Sequence, residues 1–349
     1  MPLTLGLVFI SQRNPEIVEK VYSSGLYTYI GTVISLITGI FPFSLGEVIV
    51  IVSLLFLIIG GVWIVYGIIT RKISYIKMFS LIKNVLITVS VIYFLFNFLW
   101  GLNYYRLPFS KIAGIDVRPA TVQELVSLCE DLIDKTNELR REISESEDKV
   151  FYEKDYKYIL KNAYKGYESA KNFYPELGGK FGRPKGVIFS KAMSYMGITG
   201  IYFPFTGEAN VNMDTPFVSL PSTVAHEMAH QRGFAREDEA NYIAYLTCKH
   251  HPELSFQYSG YVLALIHSMN TLYVNDREKF TELSQRYSEE VRRDLNDISK
   301  HWDKYEGPIE KASNKMNNVY LKSNNQKDGV KSYGRMVDLL IAEHRIKNK

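Results

Sequence analysis

Two hydrophobic patterns divide the chain near residue 105. Residues 48–69 are apolar throughout apart from Ser53 and the pair Gly60-Gly61. Residues 84–100 form a second apolar run that closes on Phe98-Leu99-Trp100, with Tyr104-Tyr105 after it. A helix needs about 20 such residues to cross a bilayer, so both runs predict membrane spans with an aromatic belt at the interface. Gly60 and Gly61 either admit a neighbouring helix closely or are merely tolerated. Residues 1–10 are apolar but too short to cross, and read as a partial or missing first span. They lack the basic start and small-residue cleavage site of a signal peptide. Residues 26–43 are apolar but broken by Gly31, Gly39 and Pro42, which suits an interfacial helix better than a span.

Beyond residue 105 the pattern is that of a soluble domain. Leu125, Leu128, Leu132 and Leu139 after Thr121 predict a helix over 121–145, capped by that threonine. Residues 151–174 read as another amphipathic helix. Residues 186–190, 200–205 and 209–212 are β-branched or aromatic and punctuated by glycine, so they predict short strands. Pro216 and Pro221 close that region. A helix over 222–232 follows, with Ser222 or Thr223 near its N-terminus and Gly233 ending it. Further helices are expected over about 236–248, 254–272, 276–299, 307–322 and 330–345, with a turn at 324–329. The domains expected are thus a membrane-anchoring region, 1–105, and a mainly helical α+β domain with a small sheet, 106–349.

Charge adds an orientation. The connection 70–83 carries Arg71, Lys72, Lys77 and Lys83 and no acid. That places it in the cytoplasm of a multi-pass cell-membrane protein, and residues 101–349 outside. Arg106, Lys111 and Arg118 at the other end reduce the contrast. The overall charge is only +4, and the basic residues are interspersed with acids rather than gathered into a run with aromatics. Nucleic acid is therefore not an expected partner. The two cysteines, Cys129 and Cys248, can form one bridge at most; two separate buried thiols are the simpler reading.

The chemistry is concentrated at His226-Glu227-Met228-Ala229-His230, an H-E-x-x-H. Residues four apart share a helix face, so both imidazoles can meet one zinc ion while Glu227 serves as general base. Val224, Ala225 and Met228 make this an apolar helix, on which two histidines and a glutamate are costly without partners. Glu237 and Glu239 both lie within reach as a third metal ligand. Glu237 shares its face with Ala240, Asn241 and Ala244, which allows close approach and makes Asn241 a supporting donor, so it is preferred. Glu239 lies with Tyr242, Ile243 and Leu246 and stays open as the alternative. The Glu-x-x-x-Asn after the helix resembles the gluzincin pattern, in which an Asp stands where Asn241 does. Arg236, six residues after His230, excludes an ordinary metzincin site.

The stretch from Ser194 to Asn210, Ser-Tyr-Met-Gly-Ile-Thr-Gly-Ile-Tyr-Phe-Pro-Phe-Thr-Gly-Glu-Ala-Asn, followed by the run from His226 to Asn241, resembles the bacterial family called domain of unknown function 3810. The likeness extends from Asn14-Pro15-Glu16 to Ser332-Tyr333-Gly334-Arg335. It implies N-terminal membrane helices followed by a zincin-like domain, and names no substrate.

A zincin carries an edge strand that receives an extended peptide, here 198–205 or 208–213, unless these are ordinary core strands. It also needs an oxyanion stabiliser, for which Tyr261, His267 and Tyr333 are candidates. His250 and His251 read as surface residues at a helix end. The expectation is a membrane-anchored zinc metallopeptidase acting on a peptide or protein. The alternatives are a non-catalytic binding or assembly protein with a zinc-stabilised fold, which has no need of Glu227, and a transporter, which two spans without ionisable residues argue against.

Overall fold

The computed structural model describes residues 1–71, 73–143, 150–151, 155–326 and 335–347. Its N-terminal region begins with α1 (Pro2–Arg13). Next come α2 (Pro15–Ile17), a π-helical stretch (Val18–Leu26) and α3 (Tyr27–Thr38), which follow one another without a break. Ser44 and Ser74 then cap α4 (Leu45–Ile69) and α5 (Tyr75–Leu99), each accepting a backbone N–H three residues on. These two helices have 25 residues each and mean hydropathies of 3.1 and 1.9 in their most apolar windows, in which nothing is buried. At 1.5 Å per residue each is about 37 Å long, enough to cross about 30 Å of hydrocarbon. Gly60 and Gly61 face open space. α1 lies along α5, with Met1, Leu3 and Thr4 lining a groove shared with Leu86, Ser90 and Phe94.

After a 3-10 turn (Gly101–Tyr105) and α6 (Phe109–Ile112), α7 (Val122–Arg141) opens with a capping box. Thr121 accepts from Glu124 N–H, and the Glu124 carboxylate accepts from Thr121 N–H. The single helix expected over 151–174 is instead α8 (Tyr156–Asn162) and α9 (Tyr164–Ala170), broken where Gly166 N–H donates to Ala163 O three residues back. The sheet contains β1 (Lys185–Val187), β2 (Gly200–Phe203) and β3 (Glu208–Asn212), with α10 (Ser190–Tyr195) after β1. β3 is central, parallel to β1 and antiparallel to β2, with Tyr202 opposite Ala209. β1 stops at Val187 because Ile188 and Phe189 turn their N–H groups onto Glu47, in the first turn of α4.

The remaining elements are α11 (Leu220–Gln231), α12 (Glu237–Lys249), α13 (Leu254–Asn275), α14 (Arg277–Ser284), α15 (Glu289–Asp303), α16 (Pro308–Ser323) and α17 (Met336–Lys347). The helix expected over 276–299 is two, because Asp276 caps α14 and Ser288 caps α15. α11, α12, α13 and α7 pack on one another around Ile133, Val224, Ile243, Leu246, Leu265 and Leu272. Cys129 and Cys248 are free and buried in this core. Tyr333, and the start of the last helix at Val330, lie outside the described residues.

Residues from both sides of position 105 share a second core. Val18, Tyr22, Tyr27, Trp100, Tyr104 and Tyr105 pack with Tyr202 and Ala235. Tyr104 and Tyr105, expected in an aromatic belt, are buried here instead. The sheet also rests on the start of α4. Glu208 accepts from Leu45 N–H at 3.2 Å and Gly46 N–H at 2.7 Å, a carboxylate at a helix N-terminus. Lys185 neutralises it, and also donates to Thr38 O (2.8 Å) and Phe43 O (2.9 Å).

Candidate metal centre

Pro221 lies in the first turn of α11, where its missing N–H costs nothing. Ser222 and Thr223 do not cap this helix. Their hydroxyls lie inside the first turn and donate back to Ser219 O, both at 2.9 Å. The helix ends at Gly233, whose φ of +82° suits glycine. A Cβ there would stand 2.9 Å from the Tyr27 ring. The chain then turns back, and Glu237 becomes the first residue of α12, facing α11.

His226, His230 and Glu237 come together at this turn, with ligand atoms all within 4.8 Å of one another. His226 Nε2 lies 3.0 Å from His230 Nε2 and 3.2 Å from Glu237 Oε2, and His230 Nε2 lies 3.6 Å from the same oxygen. Donors about 2.0–2.1 Å from a tetrahedral zinc stand about 3.4 Å apart, so the triangle has the size of one face of such a shell. His230 Nδ1 lies 2.8 Å from Phe234 O. Donation to that carbonyl fixes the tautomer and leaves Nε2 to face the centre. Asn241, one turn after Glu237, is buried.

The charges converge on the same point. Burial opposes a proton on His230, but Glu237 outweighs it and takes the pKa up to about 9. Burial likewise opposes charge on Glu237, yet His230 and His226 hold its carboxyl far below the usual range. The three groups are therefore arranged around positive charge, whether a proton or a metal ion. Glu227 is buried beside them, and its Oε2 has no hydrogen-bond partner. Buried polar atoms are almost always paired, so an orphan carboxylate oxygen next to a convergent donor set points to a ligand or water. Burial raises its pKa, with the two histidines and a backbone hydrogen bond from Tyr202 opposing. A Cβ at Gly200 would stand 2.5 Å from Glu227 Oε1, so the start of β2 must be bare for this carboxylate to fit.

Glu239 is turned away. It accepts from Phe109 N–H at 2.9 Å and from Arg236 Nη1 at 2.8 Å, and so holds α6. His267 lies beside the site; burial, then the neighbouring His226, lower its pKa to about 4. Tyr261 packs instead against Tyr245, in a polar cluster with Lys249 and Glu343. His251 is not on the surface: it stacks on Phe256, accepts from Glu253 N–H at 3.1 Å and has Asn162 O 3.1 Å from Nε2. Of the two candidate peptide-binding strands, β3 is paired on both sides and has no free edge. β2 is at the sheet edge.

Sequence reasoning missed the N-terminal contribution to this centre. Trp100 donates from its indole N–H to His230 O at 3.0 Å, and Tyr27 donates to Gln231 O at 2.8 Å. Arg106 donates to Gly233 O at 3.1 Å and grips Glu19 through two bonds of 2.7 and 2.8 Å. The Tyr27 and Arg106 bonds serve carbonyls at the end of α11, and the Trp100 bond adds to the one His230 O already accepts from Gly233 N–H at 2.9 Å. The only visible signal was an excess of aromatics after the second span, which reads equally as a membrane belt. Tyr320 on α16 was also missed. Its hydroxyl lies 3.1 Å from that of Tyr104, and burial, together with the nearby Glu237, lifts its pKa to about 12 against the Tyr104 hydrogen bond.

The model of a family described as a protein of unknown function, DUF3810, matches residues 22–341. No curated protein and no solved structure matches the chain.

Proposed function

We propose that the chain, which belongs to the DUF3810 family, is a membrane-anchored, zinc-dependent peptidase with a zincin-like domain. The observation that carries this reading is the convergence of His226, His230 and Glu237 next to the orphan oxygen of Glu227. These three residues would hold the ion. Bound there, zinc would act as a Lewis acid on a peptide carbonyl and lower the pKa of a water to about 7. Glu227 takes the proton released as water attacks the carbonyl carbon, and returns it to the leaving amine as the C–N bond breaks. Its raised pKa suits both halves of that task. His267, neutral near pH 7, can donate to the developing oxyanion. The edge strand β2 would receive the substrate backbone.

The orientation proposed puts the 70–83 segment, whose Lys77 and Lys83 lie in the first turns of α5 rather than in a loop, in the cytoplasm and the metal centre outside. A cysteine at Thr281 should then react with an impermeant thiol reagent on intact cells; labelling only after lysis would reverse the topology.

The metal and the base are tested separately. Purified protein should carry about one zinc per chain, and His226→Ala should lose it; equal zinc in both would sink the site. Glu227→Gln should keep zinc and lose hydrolysis of a peptide library by a factor of about 10²–10⁴. A wild type that binds zinc and cleaves no member of the library would instead favour a binding or assembly protein with a zinc-stabilised fold.

A further inference from the structure

The metal centre adjoins the ends of both span-length helices. Trp100, which holds His230 O, is the residue after α5, and Glu208 of β3 is bonded to the first two residues of α4. Phe203 of β2 covers Gly46. Side chains two apart on a strand share a face, so Ile201 points the same way as Phe203, and it is 48% exposed. Ile188 and Phe189, whose N–H groups bond Glu47 at 3.1 and 2.8 Å, leave side chains 77% and 58% exposed beside the first turn of α4.

α16 touches the body at its two ends, one just before β2 and the other beside α5. Glu310 lies against Gly197, just before β2, and Tyr320 meets Phe96 of α5 and Tyr104. Ile309, Met316 and Val319 follow the helical repeat towards Tyr320 and all stay exposed. Lys311, Lys315 and Lys322 form a separate exposed row along the same helix. An apolar stripe bordered by lysines is the pattern of a helix lying in the headgroup layer of a membrane.

We propose that Ile188, Phe189, Ile201, Ile309, Met316 and Val319 form a collar seated in the lipid interface, and that the edge strand β2 lies at that interface. Lipid is the occupant because the collar is continuous with α4 and α5, whose apolar side chains are open along their length. The substrate is then a polypeptide cut close to its own membrane anchor, since that is the segment that meets an edge strand at the interface. The collar rests on this geometry and on α4 and α5 crossing a membrane, whereas the substrate class rests also on the peptidase reading.

The two parts are tested in one preparation, the full chain in nanodiscs of phosphatidylcholine and phosphatidylglycerol. Spin labels on Ile188→Cys and Met316→Cys should collide more with oxygen and less with a water-soluble nickel chelate than a label on Thr281→Cys. Equal chelate access at all three positions would overturn the collar. A peptide library anchored to the disc by an acyl chain should be cleaved at least about tenfold faster than the same library free in solution, because anchoring raises its local concentration beside β2. Met316→Ser combined with Val319→Ser should reduce that advantage and leave cleavage of the free library unchanged. Equal rates for the two libraries would overturn the substrate class. Immersed labels with neither library cleaved would support the collar and remove the substrate class together with the peptidase reading.

Discussion

Two polar clusters sit inside the same helical domain, and they are built in opposite ways. Around Asp294 every group has a partner. Its Oδ2 accepts from Arg140 Nε at 2.5 Å and Tyr258 OH at 2.6 Å, while Oδ1 accepts from Phe151 N–H at 2.7 Å. Arg140 and Asp294 are each 1% exposed, so the pair neutralises itself within the core. Around Glu237 the arrangement is open. Two imidazole nitrogens and a carboxylate oxygen face a common point, and Glu227 beside them keeps an unpaired oxygen. A closed network ties elements together, in this case α7, α13 and α15. An open one leaves room for something from outside, and that difference is what the proposed metal reading draws on.

The comparison is broken most severely at the closed cluster. Asp294→Ala leaves Arg140 charged and buried, and should cost about 3–5 kcal/mol of stability, seen as a lower denaturation midpoint. Zinc content of the folded fraction should not change; a loss of zinc without a loss of stability would erase the distinction. The next effect is at the open cluster. Glu237→Gln should weaken zinc binding by more than the ten- to hundredfold, about, that an outer partner is worth, with little change in folding of the metal-free chain. Glu239→Gln should do the reverse, because Glu239 holds Phe109 N–H and Arg236. The opposite result would make Glu239 the ligand. Trp100→Phe comes third. It removes one hydrogen bond to His230 O, worth about 0.5–1.5 kcal/mol, and should lower zinc affinity without lowering zinc stoichiometry. Unaltered affinity would show that the indole merely packs.

The parts of the site that depend on local spacing were legible in the sequence. Two histidines four apart and a carboxylate between them define a helix face wherever that helix sits. Glu237 could be preferred over Glu239 from the small residues on its side of α12. Both long apolar helices were legible for the same reason, since length and apolarity are properties of a continuous segment. What could not be read depends on contacts between distant residues. Trp100 and Tyr27 reach α11 across more than a hundred residues, and nothing in their own neighbourhoods distinguishes a buried anchor from a membrane belt. His251 was misjudged similarly: two adjacent histidines at a helix end look solvated, yet α8 supplies Asn162 O and α13 supplies Phe256 to enclose one of them. Strand order also escaped the sequence, because β3 became central only when β1 crossed over to pair with it.

The smallest expected effect extends the comparison to a cluster at the surface. Arg345 of α17 donates to both oxygens of Glu124, at 2.6 and 2.9 Å, and to Arg118 O and Pro119 O at 3.1 and 3.0 Å. The Arg345 bonds, and then the Thr121 N–H, hold the Glu124 pKa down at about 2. A carboxyl whose pKa is lower in the folded chain contributes stability above its unfolded value, near 4.5, and loses it as pH falls towards about 2. Glu124→Gln should therefore lower the melting temperature slightly at pH 6, and the difference from wild type should close as the pH falls through that window. Added salt should shrink it too, because this pair is open to solvent. The Asp294 pair lies out of reach of salt, so a deficit in Asp294→Ala should persist in high salt. If instead both deficits shrank alike with salt, burial would not be what sets the two clusters apart. If the Glu124→Gln deficit held constant down to acid pH, the α17 attachment would rest on the Arg345 bonds to Arg118 and Pro119 rather than on the carboxylate.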